Sequence, residues 1–187
     1  MNKKELRAYY KTLRKALSKC EKDKLDNEIT ENFLSLDEYK NAQCLLCYVS
    51  SQIEVGTIAV IQTASKDGKS VYVPKCSDEG NAMTFYRIGS LVELTIGSYG
   101  ILEPSETAVK YMGENALCIV PALSYDKLGY RLGFGKGYYD RFLNENKNLY
   151  PIGFCYSNCM TEKLPSEQYD IAVKKIITEN LIIDIEV

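Results

Sequence analysis

The sequence predicts an α/β fold: a single three-layer domain over residues 1–187, with a mostly parallel sheet, helices on both faces and an N-terminal helical pair. Three observations carry this prediction. Apolar residues recur at helical spacing from Lys3 to Leu36, short apolar runs separated by turn residues follow Asn41, and a helical segment joins two of those runs. A chain of 187 residues with 45% hydrophobic residues suits one domain with a buried core.

The two N-terminal helices are predicted from apolar periodicity and from a capping signal. A first helix is expected from Lys3 to Leu17, and the capping box from Ser18 to Glu21 predicts the start of a second. The apolar positions are Leu6, Tyr10, Leu13 and Leu17 in the first helix and Leu25, Ile29, Phe33 and Leu36 in the second. Each helix therefore has one face to bury.

The segment after Asn41 is predicted to supply the sheet. The expected strands are Cys44–Val49, Val71–Val73, Met83–Tyr86, Leu117–Val120, Tyr150–Cys155, Ile176–Ile177 and Leu181–Ile185. Val55–Ala64 is expected to form a helix and Lys66–Lys69 a turn, so the first two strands and this helix make a βαβ unit. A further helix is expected to begin at Tyr138. In such a fold, ligands bind at the carboxyl ends of the strands.

Composition narrows the possible functions. A net charge of -2 gives no field that would hold nucleic acid or an anionic membrane, and no apolar run is long enough to span a bilayer. We therefore expect a cytoplasmic monomer whose seven cysteines are free thiols. The chain has no histidine, so its chemistry has to use carboxylates, cations and backbone dipoles.

A glycine-rich stretch at residues 131–141, RLGFGKGYYDR, connects a strand and loop to the predicted helix at Tyr138. Glycines on alternate residues let backbone N–H groups approach an anion, and the helix N-terminus adds its dipole. The spacing matches neither common nucleotide-binding fingerprint, because Tyr138 stands where a third glycine would be needed and Gly137 follows Lys136. A simple glycine-rich turn is the alternative, and the cations Arg131 and Lys136 favour a polyanion site.

This string resembles the signature of the 5-formyltetrahydrofolate cyclo-ligases, also called methenyltetrahydrofolate synthetases. The resemblance extends over nearly the whole chain and includes Lys3–Arg7, Glu54–Thr57, Gly100–Pro104, Asp170 and Ile177–Glu179. It implies conversion of 5-formyltetrahydrofolate to 5,10-methenyltetrahydrofolate, driven by ATP with Mg²⁺ as cofactor and releasing ADP and phosphate. ATP would phosphorylate the formyl oxygen, and N10 of the folate would then close the ring.

The resemblance also implies a set of site residues. The implied ATP contacts are Lys3, Lys4, Arg7, Arg131, Leu132, Gly133, Phe134, Gly135, Lys136, Gly137, Tyr138 and Tyr139. The implied folate contacts are Val49, Glu54, Phe134 and Tyr138. Lys136 and Arg131 take the catalytic roles, in which cations neutralise the transferring phosphoryl group, and Asp140 and Asp170 are the implied Mg²⁺ ligands.

Several of these residues also have a purely structural interpretation. Asp140 can complement the dipole of its helix, and Lys3 and Arg7 can belong to a solvated basic face. Glu54 completes a capping box that begins at Ser51 and needs no ligand. The chain also departs from many relatives at two positions near Asp170, which are Tyr169, often histidine elsewhere, and Lys174, often acidic elsewhere.

Two other functions stay open from the sequence. A non-enzymatic protein of the same fold could bind a nucleotide, a folate or RNA, because fold alone does not give function. A phosphotransferase for another small amide or pterin would keep the glycine loop and change the rest of the pocket. Glu54 is the residue expected to discriminate between the folate enzyme and this alternative.

Overall fold

The structure of the chain is a computed structural model that describes residues 1–77, 82–97 and 100–186. The α-helices are α1 (Lys3–Lys15), α2 (Lys19–Ser35), α3 (Asp37–Asn41), α4 (Ile58–Lys66) and α5 (Tyr138–Glu145). Within the described ranges, no helix combines the length and apolar character that a membrane span requires.

The strands form one large sheet and two small ones. They are β1 (Cys44–Cys47), β2 (Ser70–Cys76), β3 (Met83–Ile88), β4 (Thr95–Ile96), β5 (Leu102–Glu103), β6 (Ala116–Val120), β7 (Ser124–Asp126), β8 (Arg131–Leu132), β9 (Leu149–Phe154), β10 (Met160–Thr161), β11 (Lys175–Ile177) and β12 (Ile182–Asp184). The large sheet has the order β12-β11-β9-β6-β1-β2-β3, with its five central strands parallel and both edge strands antiparallel. The small sheets are β10-β7-β8 and β4-β5.

Two crossover connections explain why helices cover both faces. From β1 the chain passes through α4 to the neighbouring β2, whereas from β6 it passes through α5 to β9 on the opposite side. Because such crossovers are right-handed, connections that step in opposite directions place α4 and α5 on opposite faces. The predicted three-layer α/β fold with a mostly parallel sheet is thereby confirmed.

Aromatic contacts show how the two faces are packed. On one face Phe33 of α2 packs against Phe154 of β9, with ring centroids 5.3 Å apart. On the other face Phe142 of α5 packs against Phe85 of β3 at 4.8 Å. These four side chains are buried. Burial of such large apolar surfaces is the main force that holds the helices on the sheet.

The second helix begins where the sequence predicts. The Ser18 hydroxyl accepts the Glu21 N–H at 3.3 Å, and the Glu21 carboxylate accepts the Ser18 N–H at 2.9 Å, which is the reciprocal pair of a capping box. A second box caps α1, where Asn2 and Glu5 exchange the corresponding bonds. The helical pair predicted at the N-terminus is therefore confirmed.

Other element boundaries differ from prediction. Helix α4 begins at Ile58 rather than Val55. Residues 55–57 lie before the helix, and the Thr57 side chain is engaged elsewhere, because the Tyr48 carbonyl accepts the Thr57 hydroxyl at 2.6 Å. The first strand ends at Cys47 rather than Val49, because the chain turns into the loop that precedes α4. The sequence analysis did not identify α3 or the two small sheets, whose strands of two or three residues are too short to show a period.

Candidate active site

The candidate site is a cavity of about 630 Å³ at the carboxyl ends of β1, β2 and β6. Tyr48 and Val49 follow β1, Pro121 follows β6, and Pro74 and Cys76 belong to the end of β2. The connections that leave β1 and β6 run to opposite sides of the sheet, so their ends diverge and leave a crevice. This is the position at which open α/β sheets bind ligands.

The glycine-rich loop forms one wall of this cavity, and its backbone explains two of its glycines. Gly135 has φ of +105° and Gly137 has φ of +68°, values that side-chain-bearing residues adopt only with strain. Gly137 is also the N-cap of α5 and contributes no side-chain cap. The loop therefore brings backbone without side chains to the start of a helix, an arrangement suited to binding an anion.

Helix α1 rests on this loop through Arg7. The Arg7 Nε donates to the Gly133 carbonyl at 2.9 Å. A Cβ at Gly135 would lie 3.4 Å from the Arg7 guanidinium carbon, so the arginine covers the loop closely. Lys11, one turn further along α1, lies over the Phe134 ring at 5.7 Å. Cations of α1 thus add positive charge beside Lys136, which is exposed in the cavity wall.

Lys3 lines the cavity beside two carboxylates, and we call this part of the cavity its acidic end. Its ammonium lies 2.8 Å from Glu167 Oε1 and 3.1 Å from Asp170 Oδ2, and all three residues line the cavity. Lys4 is exposed and does not line it, so its ATP contact stays a prediction that this geometry does not support. The alternative of a wholly solvated basic face does not describe Lys3 and Arg7, because both are partly buried against the site.

Arg131 and Asp140, predicted for phosphate and metal binding respectively, contact each other. Arg131 Nη2 lies 2.5 Å from Asp140 Oδ1, and Nη1 donates to the Ile171 carbonyl at 2.7 Å. The Ile171 N–H in turn donates to Asp140 Oδ1 at 3.1 Å. The Arg131 side chain is only 5% exposed. In this arrangement the pair fixes the first turn of α5 to the segment that carries Asp170.

The carboxylates present fit Mg²⁺ only in company with a phosphate. Asp140 and Asp170 both line the cavity, but no group of three or more potential ligands that could hold a metal occurs within the parts of the chain that the structure describes. Mg²⁺ in nucleotide sites commonly uses one or two carboxylates together with phosphate oxygens and water. The donor chemistry therefore suits a metal that arrives with a nucleotide rather than a permanently bound ion.

Lys174 does not take part in this acidic end. Its ammonium lies over the Tyr150 ring at 5.2 Å, and the residue does not line the cavity. Tyr169 is 80% exposed and is also absent from the lining. Neither of the two residues that depart from the pattern of many relatives therefore lines the cavity beside Asp170.

The opposite end of the cavity is largely apolar and contains Glu54. Its lining includes Val49, Pro74, Met83, Ile101, Leu102 and Pro121. Glu54 Oε2 accepts the Ser51 N–H at 2.7 Å, which is half of a capping box, but these residues form a turn and α4 begins only at Ile58. The interpretation of Glu54 as a helix cap is therefore wrong, and its carboxylate still lines the cavity.

Tyr139 is an aromatic residue of the site. It lines the cavity, and its hydroxyl is buried without a hydrogen-bond partner among the described residues. Burial raises the pKa of this phenol well above its ordinary value, with further contributions from Cys118, Cys47 and Glu54, so the hydroxyl stays protonated. Its ring packs edge-on against Phe85, with the centroids 6.3 Å apart.

One cavity thus brings together every predicted site residue except Lys4. Glu103 and Glu167 also line it but were not singled out from the sequence. Glu103 is 7% exposed. It belongs to the Gly100–Pro104 segment that resembles the family, and this resemblance could have identified it as a candidate. No local pattern marks Glu167, which reaches the cavity only through its long-range contact with Lys3.

Known proteins are similar to this chain over nearly its whole length. The sequence model of the 5-formyltetrahydrofolate cyclo-ligase family matches residues 1–179. The chain is 29% identical to the 5-formyltetrahydrofolate cyclo-ligase of Haemophilus influenzae, over 92% of this chain and 95% of that protein. It is 28% identical to the mouse protein of the same name, over 95% of this chain and 94% of the other.

A solved structure is similar throughout. The NMR structure of 5,10-methenyltetrahydrofolate synthetase from Aquifex aeolicus superposes with a TM-score of 0.86 at 33% identity, covering 100% of this chain and 94% of that one. The family model covers far more than half of the chain, and this solved structure shares the fold. The chain belongs to the 5-formyltetrahydrofolate cyclo-ligase family.

Proposed function

We propose that this protein converts 5-formyltetrahydrofolate to 5,10-methenyltetrahydrofolate with consumption of ATP. The observation that carries the proposal is a single cavity with two chemically different ends. One end has a glycine loop, a helix N-terminus and the cations Arg7 and Lys136, and the other has apolar walls around Glu54. A triphosphate suits the first end, and a pterin with polar edges suits the second.

The chemistry follows from the poor leaving ability of a formamide oxygen. Attack of the formyl oxygen on the γ-phosphorus of ATP breaks the bond to ADP and activates the formyl carbon. N10 of the folate then attacks that carbon and loses its proton, and phosphate departs with the formyl oxygen. The first step needs the two substrates in contact, and the second takes place within the phosphorylated folate, so one continuous cavity fits the reaction better than two separate sites.

Roles in this reaction can then be assigned to five residues of the cavity. Lys136 is exposed at the loop and would neutralise charge on the phosphoryl group as it transfers. Asp140 and Asp170 would hold Mg²⁺ together with phosphate oxygens, and the metal would supply further charge neutralisation. Glu54 would accept hydrogen bonds from donors on the pterin edge, and Val49 would pack against its ring.

The experiment that tests the proposal is a spectroscopic assay. Protein, ATP, Mg²⁺ and 5-formyltetrahydrofolate are mixed, and the near-ultraviolet absorbance of the methenyl product is followed while ADP is measured in parallel. We expect product and ADP in equal amounts, and neither when ATP or the metal is left out. ATP hydrolysis without methenyl product would favour a phosphotransferase for another substrate, and nucleotide binding without turnover would favour a non-enzymatic role.

A further inference from the structure

Arg14, near the end of α1, is a buried cation that the site as described does not use. It is 3% exposed and has no carboxylate within ion-pair distance in the described ranges of the chain. Its Nε donates to the Leu123 carbonyl at 3.1 Å and its Nη1 to the Ile53 carbonyl at 3.0 Å. Its guanidinium lies over the Tyr156 ring at 5.2 Å, and Nη2 is buried with no nitrogen or oxygen partner among the residues that the structure describes.

The contacts of Arg14 do not stabilise the fold as well as an apolar side chain would. An arginine stays protonated at all relevant pH values, and removing its charge from water without an opposite charge is costly. One of its donors is also left unsatisfied, which adds to that cost. An apolar side chain of similar volume would fill the same space without either penalty, so the two carbonyl contacts are the feature that needs an explanation.

The two carbonyls belong to the two segments that build opposite ends of the cavity. Ile53 directly precedes Glu54 in the turn closed by the bond from the Glu54 N–H to the Ser51 carbonyl at 3.2 Å. The Leu123 N–H donates to the Leu132 carbonyl at 2.8 Å, and Leu132 leads into the glycine loop. One planar guanidinium therefore spans the folate end and the phosphate end.

We propose that Arg14 is a positioning residue that holds the Glu54 turn and the glycine loop at a fixed separation, so that the two substrates meet at reacting distance. The inference rests on the proposed function. Arg14 does not line the cavity and acts through the backbone of the two segments. Arg7, two turns earlier on α1, holds the next part of the same loop through the Gly133 carbonyl.

The first test needs no turnover. Hydrogen exchange is compared between the wild-type chain, Arg14→Met, and Lys15→Met, a matched loss of an exposed neighbouring cation. We expect Arg14→Met to speed exchange at least about threefold in residues 51–57 and 121–137, with the central strands unchanged, and Lys15→Met to change neither. Unchanged exchange in both segments, or equal acceleration throughout the fold, overturns the proposal.

The second test measures kinetics. Arg14→Met should lower kcat/KM for both substrates at least about tenfold, because small misplacements of reacting groups are costly. The losses should combine with those of Glu54→Gln less than additively, since a displaced carboxylate has less left to lose. Additive losses, or a loss for one substrate only, would contradict a role at both ends.

Two further points keep these outcomes decisive. If Arg14→Met does not fold, Arg14→Lys enters the same measurements, because lysine keeps the charge but lacks the fork that spans two carbonyls. We expect the same direction of change from it, and full wild-type behaviour would overturn the proposal. If the wild-type protein forms no methenyl product, the proposed function fails while the exchange experiment still decides the role of Arg14.

Discussion

Glu54 shows how one side chain can satisfy a structural pattern and still be available to a ligand. Its carboxylate accepts one backbone N–H from Ser51, in a turn that lies before α4, and it lines the apolar end of the cavity. A glutamine can accept the same hydrogen bond but carries no charge. Substitution at this position therefore separates the contribution of the turn from a charge-dependent contact with the substrate.

For Glu54→Gln we expect a melting temperature and an ATP affinity close to wild type, with kcat/KM for 5-formyltetrahydrofolate reduced at least about tenfold. The reason is the loss of a charge-assisted hydrogen bond worth about 1.5–3 kcal/mol. Thermal unfolding and steady-state kinetics measure the two quantities. Glu93→Gln is the control, because Glu93 accepts the Gly89 N–H at 3.2 Å and lies outside the cavity. An early-melting Glu54→Gln that retains its kcat/KM would contradict this account.

Lys136 is expected to act in the transition state more than in binding. It is exposed in the cavity wall, whereas the Arg131 guanidinium is taken up by Asp140 and Ile171. Lys136→Ala should lower kcat about 100-fold or more while the Kd for ATP rises far less. Single-turnover kinetics and calorimetry measure these values, with Lys127→Ala as a control in an exposed ion pair with Glu162. Equal losses in kcat and affinity would show that Lys136 only anchors ground-state phosphate.

Contacts between distant residues were the part of the site that sequence reasoning could not supply. Arg131 and Asp140 were both identified from one string, but their ion pair, and its shared contact with Ile171, depends on how α5 meets a segment thirty-one residues later. The burial of Arg14 could likewise not be predicted, because an arginine in a surface helix is ordinarily exposed. Charge patterns predict which residues are candidates, and tertiary packing decides which partner each one finds.

At the scale of elements, two glycines of the glycine loop differ in whether the backbone conformation requires a glycine. Gly135 needs a positive φ and lies close to Arg7, whereas Gly133 has no positive φ, and a Cβ built on it meets nothing within 4 Å. Strain at one glycine and open space at the other give opposite expectations for the same substitution to alanine.

We expect Gly135→Ala to lower the free energy of unfolding by about 1–3 kcal/mol and to reduce the rise in melting temperature that ATP and Mg²⁺ produce in the wild type. Gly133→Ala is the matched control and should leave the unfolding of the ligand-free protein unchanged. Denaturant titration and thermal scans with and without nucleotide provide the measurements. Equal stability of the two variants would argue against the loop conformation described here.

The longer helices and strands were predictable because they contain enough residues to show the periodicity of their apolar positions. The capping box at Ser18 placed the start of α2 correctly, since it is a local arrangement of four residues. The same pattern at Ser51 did not start a helix, because the Thr57 side chain bonds back to Tyr48 and residues 55–57 stay outside the helix. Tertiary hydrogen bonds thus overrode a local signal that was otherwise the same.

At the scale of the whole molecule, the buried thiols link stability to pH. Burial raises the pKa of Cys118 and Cys155 from about 9 to about 12. Above pH 9 the unfolded chain therefore loses protons that the native state retains, so the free energy of unfolding falls as pH rises toward 12. Well below pH 9 both states keep these protons, and the two thiols then contribute no pH dependence to the free energy of unfolding.

We expect the free energy of unfolding to fall between about pH 9 and pH 10.5, with each buried thiol contributing up to about 1.4 kcal/mol per pH unit. Urea titrations across this range measure the slope. Cys155→Ala should make the slope shallower, and Cys20→Ala, at an exposed position, should leave it unchanged. A slope that is the same in all three proteins would show that the buried thiols do not titrate as described.

Direct phosphorylation of the formyl oxygen requires that one cavity bring ATP and the folate into contact. The most direct measurement uses 5-formyltetrahydrofolate labelled with oxygen-18 in the formyl group, with mass spectrometry of the released phosphate. We expect one labelled oxygen in each phosphate formed with methenyl product, because the formyl oxygen departs on phosphorus. Unlabelled phosphate, with the label recovered in water, would contradict the account.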